Sequence, residues 1–444
     1  MPRLSLAAPA YLFLCLGLLP RAGVSLAQSP LSPVEEEIVR FVDEGIDDAR
    51  ALLEQAVNVN SGTMNFEGVR EVGRLFADAL EEVGLETEWV DGSAFGRAGH
   101  LIARQTPAAE ADVLHVVLIG HLDTVFEPDS PFQQYEQLDE ETARGPGVVD
   151  MKGGNVVLIH ALDALRRAGV LDGLRITVVL MGDEEKSGRP LDLAREHLIA
   201  AAREADVALG FEDGDGNPAT AVIARRGAFR WDLRVSGTPA HSSLIFQEGV
   251  GAGAIFEAAR VLNGLRDSLS ADPLLSLNPG LILGGTEIAD SADQERGTAF
   301  GKRNVIARDA LVTGDLRPIS PEQLEAAQAT MQRVASNSLP GTSSQVTFSD
   351  GYPPMPPMEG NRDLLALYDQ VSRDLGLGAV DAVNPREAGA ADIAFAAAHV
   401  QRAMDGLGLM GTAGHTVNET ADLRTLPTQT RRAAILLYRL SLGH

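Results

Sequence analysis

Hydrophobic positions along this chain follow two rhythms. Short apolar runs recur at 113–120, 176–182, 206–211 and 407–411. Runs this short and this apolar predict strands buried on both faces, as in a parallel sheet. Between them, apolar residues return at helical spacing. Phe66 to Val83 places Val69, Val72, Leu75, Phe76, Leu80 and Val83 on one face. Further helices are predicted over 33–57, 153–168 and 190–203, with shorter strands over 85–90 and 100–104. Strand and helix alternate, which predicts a mostly parallel α/β core.

Near Arg226 the rhythm changes. Phe229 to Val235 alternates apolar and polar, the mark of a half-exposed strand. Strands at 281–288, 303–306, 310–316 and 344–348, with helices at 250–265 and 321–336, predict a small antiparallel sheet covered by two helices. The Pro-rich stretch Asp350-Gly351-Tyr352-Pro353-Pro354-Met355-Pro356-Pro357 reads as a rigid connection. Helices at 362–375, about 392–399 and 427–442, and a strand at 407–410, then resume the first pattern. Residues 226–350 are thus expected to form an α+β insertion, a lid, within one catalytic domain made of 28–225 and 351–444.

The N-terminus breaks both rhythms. Arg3 precedes an apolar stretch from Ala7 to Leu19, and Ser25-Leu26-Ala27 offers small residues for cleavage. Residues 1–27 are expected to be a signal peptide, with a periplasmic or secreted mature chain beginning at Gln28. The apolar stretch is shorter than the roughly 20 residues that span a bilayer. An uncleaved anchor is the alternative. The single cysteine, Cys15, lies inside this segment. The mature chain then has no disulfide and no thiolate ligand, so any metal must use His and carboxylate. The net charge of −25 over 444 residues argues against nucleic acid and anionic membranes as partners.

Chemistry gathers where the apolar runs end. The first run meets His121-Leu122-Asp123, the second Asp183-Glu184-Glu185, the third Glu212-Asp213, and the fourth a loop ending in His415. Asp150 closes the Gly-rich stretch Gly145-Pro146-Gly147-Val148-Val149. Ligands of open α/β sheets bind at the carboxyl ends of the strands. Imidazoles and carboxylates converging there make a candidate site for two cations. His121 and Asp123, two apart on a strand end, face the same way, so Asp123 can orient the ring. Asp150 can bridge two cations or cap a helix. Of the adjacent Glu184 and Glu185, one can bind metal while the other moves a proton. Glu212, Asp213 and Asp215 compete for one ligand role. Each cluster alone reads as an ordinary turn or cap; three acidic groups at a buried strand exit are costly without cations. His241, in Thr238-Pro239-Ala240-His241-Ser242-Ser243, stands apart at the end of an insertion strand. It can reach a site after closure, or from a partner subunit, to stabilise an oxyanion. Of the other six of the nine histidines, His115 lies mid-strand, His160 mid-helix and His444 at the tail, and His100, His197 and His399 have no chemical company.

Taken in order, these words resemble the M20 family of zinc exopeptidases, which includes glutamate carboxypeptidase-like enzymes, dipeptidases and aminoacylases. The words are Gly-His-Leu-Asp-Thr-Val (120–125), Gly-Val-Val-Asp-Met-Lys-Gly-Gly (147–154), Gly-Asp-Glu-Glu (182–185), Phe-Glu-Asp-Gly (211–214), Gly-Thr-Pro-Ala-His-Ser-Ser (237–243) and Gly-His-Thr-Val-Asn-Glu (414–419). The resemblance implies two Zn2+ ions per subunit bridged by Asp150. His121 and Glu212 would complete one site, Glu185 and His415 the other. It makes Glu184 the general base and then the proton donor. Asp123 would orient His121, and His241 would serve the oxyanion. Asn304 and Arg317 match lid positions that hold a substrate carboxylate, a task suited to the two-pronged guanidinium. The insertion matches the family's lid and dimerisation domain, implying a homodimer.

Two departures bear on specificity. Gly389-Ala390-Ala391-Asp392 stands where the family often has Gly-Gly-Thr-Asp, so Gly389 marks a substrate-side loop. The stretch 349–353 lacks the arginines of glutamate-selecting relatives. The expected activity is hydrolysis of a C-terminal peptide bond or an N-acyl amino-acid amide bond in a small substrate. An aminoacylase or aminopeptidase of the same architecture is the alternative, and a non-catalytic periplasmic binding protein a more distant one.

Overall fold

In the computed structural model, residues 30–105, 113–291 and 296–443 are described. The predicted signal segment, Cys15 included, lies outside them. Among the described residues no helix is long and apolar enough to cross a membrane.

The apolar runs become the centre of a six-stranded sheet. Its order is Glu86–Asp91, Gly99–Arg104, Arg175–Met181, His115–His121, Val207–Gly210, Arg402–Met404. The last four are mutually parallel, and the first two are attached antiparallel at one edge. Alternate residues of the central strand enter different cores. Val116 and Leu118 join one hydrophobic cluster; Val117 and Ile119 join another on the opposite face. That double burial explains why the strand shows no polar alternation. Helices Lys152–Arg167 and Thr425–Ser441 contribute to the first cluster, and Leu191–Glu204 and Ile393–Ala397 to the second.

Two of the expected elements of the larger domain differ. The helix predicted over 33–57 is broken at Gly45 into Pro33–Glu44 and Ile46–Val57, the first capped by Ser32. The strand predicted at 407–410 is a buried loop, and the strand lies at Arg402–Met404 instead. Gly406, in the left-handed region at φ 81, turns the chain out of the ladder. Leu407, Leu409 and Met410 are still buried. Along this loop Leu407 donates to the Gly210 carbonyl, Gly408 to the Glu212 carbonyl and Met410 to the Thr425 hydroxyl, with no continuing ladder. Hydropathy therefore reported burial correctly and conformation wrongly.

The inserted domain is a four-stranded antiparallel sheet in the order Ser276–Gly285, Asp309–Arg317, Phe229–Gly237, Thr342–Phe348. Helices Ala254–Leu269 and Pro321–Ser336 close its core around Trp231, Leu233, Val312 and Met331. The strand expected at 303–306 is a turn, with Val305 bonded back to Lys302. A hairpin of Glu287–Asp290 and Gly297–Phe300 carries the extended pairing there. The two segments joining this domain to the larger one pair with each other, through Arg225 with Met355 and Ala228 with Tyr352.

Candidate metal centre

Parallel strands ending together bring the clusters together. His121 is the last residue of its strand, Glu184 and Glu185 follow Met181, and Glu212 follows Gly210. Asp150 precedes helix Lys152–Arg167, and His415 sits in the loop between two short strands, Gly411–Thr412 and Thr420–Asp422. Two ligand groups result: His121, Asp150 and Glu212; and Asp150, Glu185 and His415. Asp150 belongs to both. Its Oδ1 lies 2.9 Å from His121 Nε2, and its Oδ2 lies 2.9 Å from His415 Nε2. Glu212 Oε1 is 3.6 Å from His121 Nε2, and Glu185 Oε2 is 3.1 Å from His415 Nε2. All five expected ligands thus converge. Geometry separates Glu212 from its competitors: Asp215 caps its own turn through Asn217 and Thr220, and Asp213 enters neither group.

The orientation of His121 differs in detail from expectation. Its Nδ1 donates to the backbone carbonyl of Asp123 at 3.0 Å, closer than the Asp123 carboxylate at 3.5 Å. That carboxylate serves other groups. It accepts from Thr63 Oγ1 at 2.6 Å and from the backbone N–H groups of Glu184 and Glu185 at 3.0 and 3.2 Å. Asp123 therefore fixes the tautomer of one ligand and the backbone of the next loop together.

The electrostatics call for positive charge. Burial holds the Glu184 carboxyl well above its ordinary range, and the charges of Asp392, Glu212 and Glu185 add to this against the pull of His121. Burial also raises Glu212, with Asp150 and Asp405 adding to it and His121 opposing. His415 is pushed up to about 11 by its hydrogen bonds to Asp150 and Glu185. Glu185 Oε1 is buried with no hydrogen-bond partner. Crowded carboxylates and an orphaned oxygen are costly unless a cation satisfies them. Three carboxylates and two imidazoles, with no thiol, form a donor set that fits zinc or a similar divalent ion.

Surrounding residues lock the ligands, and several escaped the sequence reading. Glu419 accepts from the N–H groups of Gly147, Val149 and Asp150, clamping the bridging loop. Asp405 accepts from the Glu212 N–H at 3.2 Å and from Arg225 Nε at 2.9 Å. Arg225 also donates to the Gly389 carbonyl at 2.9 Å, so the Gly389 loop is tied to the Glu212 loop. Fully buried Arg195 binds Asp183 at 2.7 Å and Asp392 at 2.8 Å. Asp405 follows the strand Arg402–Met404 directly. The strand-end rule would have found it had the strand been placed there.

The lid residues are not brought to the cluster. His241 is exposed, with Nδ1 2.8 Å from Ser243 Oγ. Its neighbour Ser242 donates to the Asn304 carbonyl at 2.9 Å, so two expected substrate groups adjoin. Arg317 pairs with Asp315 at 2.7 Å. Among the described residues, no hydrogen bond or ion pair joins these three to the five ligands.

A profile of peptidase family M20/M25/M40 matches residues 117–439. The chain belongs to this family. The M20 resemblance of its motifs therefore holds over the span that carries every ligand. Carboxypeptidase G2 of Pseudomonas sp. (strain RS-16) is 27% identical over 402 residues, covering 88% of this chain and 89% of that protein. The aminopeptidase PepT from Bacillus cereus ATCC 10987 has a similar fold, with a TM-score of 0.68 at 18% identity, over 91% of this chain and 98% of that one. The YXEP protein of Bacillus subtilis, described as a dinuclear metal-binding peptidase of the M20 family, gives 0.62 at 15% identity, over 90% and 100% of the two chains. The mixed α/β fold with its inserted domain is that of M20 peptidases, and the chain is a hydrolase of this class.

Proposed function

We propose that this M20 peptidase is a zinc-dependent, carboxypeptidase-like exopeptidase. It cleaves the C-terminal peptide bond, or the amide bond of an N-acyl amino acid, in a small substrate. The observation that carries this reading is the pair of ligand groups sharing Asp150, with the unligated Glu184 carboxyl beside them. Likeness to carboxypeptidase G2 over most of the chain supports the choice of the C-terminal end.

His121, Asp150 and Glu212 would hold one zinc ion, and Asp150, Glu185 and His415 a second. Zinc supplies electrophilic polarisation of the scissile carbonyl and a water whose pKa such sites bring to about 7. Glu184 takes the proton of the attacking water and delivers it to the leaving amine nitrogen. His241, delivered by lid closure or by a second subunit, donates to the developing oxyanion. Arg317 and Asn304 bind the free carboxylate of the substrate. The lid exposes Phe246, Ile255, Phe256, Ile282 and Phe300. Exposed apolar side chains of this number, with Phe246 and Phe256 in ring contact, support a homodimer through the lid. The apolar stretch and small residues of the N-terminal sequence support a mature chain in the periplasm or outside the cell.

One hydrolysis panel tests the reading. Purified protein is offered N-acyl amino acids, their C-terminal methyl esters and free dipeptides, with and without added zinc. Cleavage of the free acids that collapses on esterification is expected. Indifference to esterification, with loss of activity on blocking the substrate amine, would make the enzyme an aminopeptidase instead.

A further inference from the structure

Tyr352 has no role in the chemistry above, yet it touches the catalytic loop. It sits on the return segment from the lid, paired with Ala228 of the outgoing segment through two backbone hydrogen bonds of 3.0 and 3.1 Å. Its hydroxyl leaves that hinge and reaches into the larger domain. There it accepts from Arg195 Nη2 at 2.7 Å, lies 3.1 Å from Ser187 Oγ, and donates to the backbone carbonyl of Glu184 at 3.0 Å. The ring packs edge-on against Phe395 with centroids 5.0 Å apart. Arg195 itself is fixed by Asp183 and Asp392.

The peptide groups of Glu184 are thereby gripped from two sides. Its N–H donates to Asp123 from the ligand side, and its C=O accepts from Tyr352 on the hinge side. With both held, the carboxylate has only its own side-chain torsions left to vary. A shift of the hinge segment moves the hydroxyl and releases the carbonyl. We propose that Tyr352 is a positioning residue that couples the seating of the lid hinge to the orientation of the Glu184 carboxylate. The base is then aligned when the lid is seated and slack when it is not. This inference rests on the assignment of Glu184 as base in the proposed function.

The test is a double-mutant cycle on the full metal-loaded enzyme, with an N-acyl amino acid as substrate. Tyr352→Phe removes only the hydroxyl and keeps the ring on Phe395. It is expected to lower kcat about 10- to 100-fold, the cost of misplacing a catalytic group, with KM within about twofold, metal content unchanged and a fully folded circular-dichroism spectrum. In the Glu184→Gln background the same substitution should cost nothing further, because the hydroxyl acts through Glu184. Normal kcat in Tyr352→Phe, or losses that multiply across the two sites, would overturn the positioning role alone. An active Glu184→Gln enzyme would instead remove the base assignment, and the coupling with it. If Tyr352→Phe folds poorly, Tyr352→Trp, which keeps an aromatic donor, serves as the second variant. Recovery of kcat above a Tyr352→Leu control supports the role, and equal rates refute it.

Discussion

The catalytic domain and the lid contribute candidate residues in different states of assembly. Around Asp150, His121, Glu185, Glu212 and His415 already lie in ligand range, with the backbone N–H groups of Glu185, Glu212 and Asp150 held by Asp123, Asp405 and Glu419. On the lid, His241, Asn304 and Arg317 sit on a separate sheet, and their contacts stay local. The difference follows from topology. Parallel strands end at one edge, so residues distant in sequence must meet there. The lid is joined by two paired segments, and its hydrophobic core is separate from those of the larger domain. Preorganised chemistry on one side and movable recognition on the other is the division expected where closure completes a site.

That comparison can be broken from either side. On the catalytic side, Glu184→Gln should retain metal and lose turnover by roughly 10³-fold; single-turnover kinetics beside elemental analysis would show it, and near-normal turnover would remove the base. Arg195→Met should destabilise the protein by about 3–5 kcal/mol, because Asp183 and Asp392 are then left buried and unpaired. Denaturant unfolding measures this, and a neutral result would mean that the network carries no stability. His100, which accepts from the Gly182 N–H and contacts the Ala194 carbonyl at 2.9 Å, is held down to about 4 by burial. Above about pH 6.5 both folded and unfolded chains carry it neutral. Below that the unfolded chain takes up a proton that the folded chain refuses until about pH 4. Stability should therefore fall by about 3 kcal/mol as pH drops from 6.5 to 4, then level. His100→Asn should flatten that stretch of the profile, and an unchanged slope would contradict the assignment. On the lid side the effect should be smaller and of another kind. Arg317→Lys should raise KM by roughly tenfold with kcat nearly unchanged, since it alters ground-state binding. A fall in kcat with constant KM would place the lid in the chemistry itself.

The metal cluster was legible in the sequence because each ligand follows a strand or a Gly turn that hydropathy makes visible. Glu212 was less so, since Asp213 and Asp215 share its spacing, and only the position of its carboxylate 3.6 Å from His121 selects it. Asp405 was lost to a strand placed five residues late, over a loop as apolar as any strand. The Arg195, Tyr352 and Asp392 network was not legible at all. Its members are far apart in the chain and carry no periodic signature, so only the fold pairs them. The lid's two helices and antiparallel sheet were visible in outline. Its hairpin was not, because Gly297–Phe300 is exposed throughout and leaves no apolar pattern.

On this account Asp150 is shared by two cation sites. Elemental analysis of zinc-reconstituted wild-type protein and of Asp150→Asn tests it most directly. The expected result is two ions per chain in the wild type and loss of both in the variant, since no other ligand belongs to both groups. Two ions retained in Asp150→Asn would contradict the bridge and the site built on it.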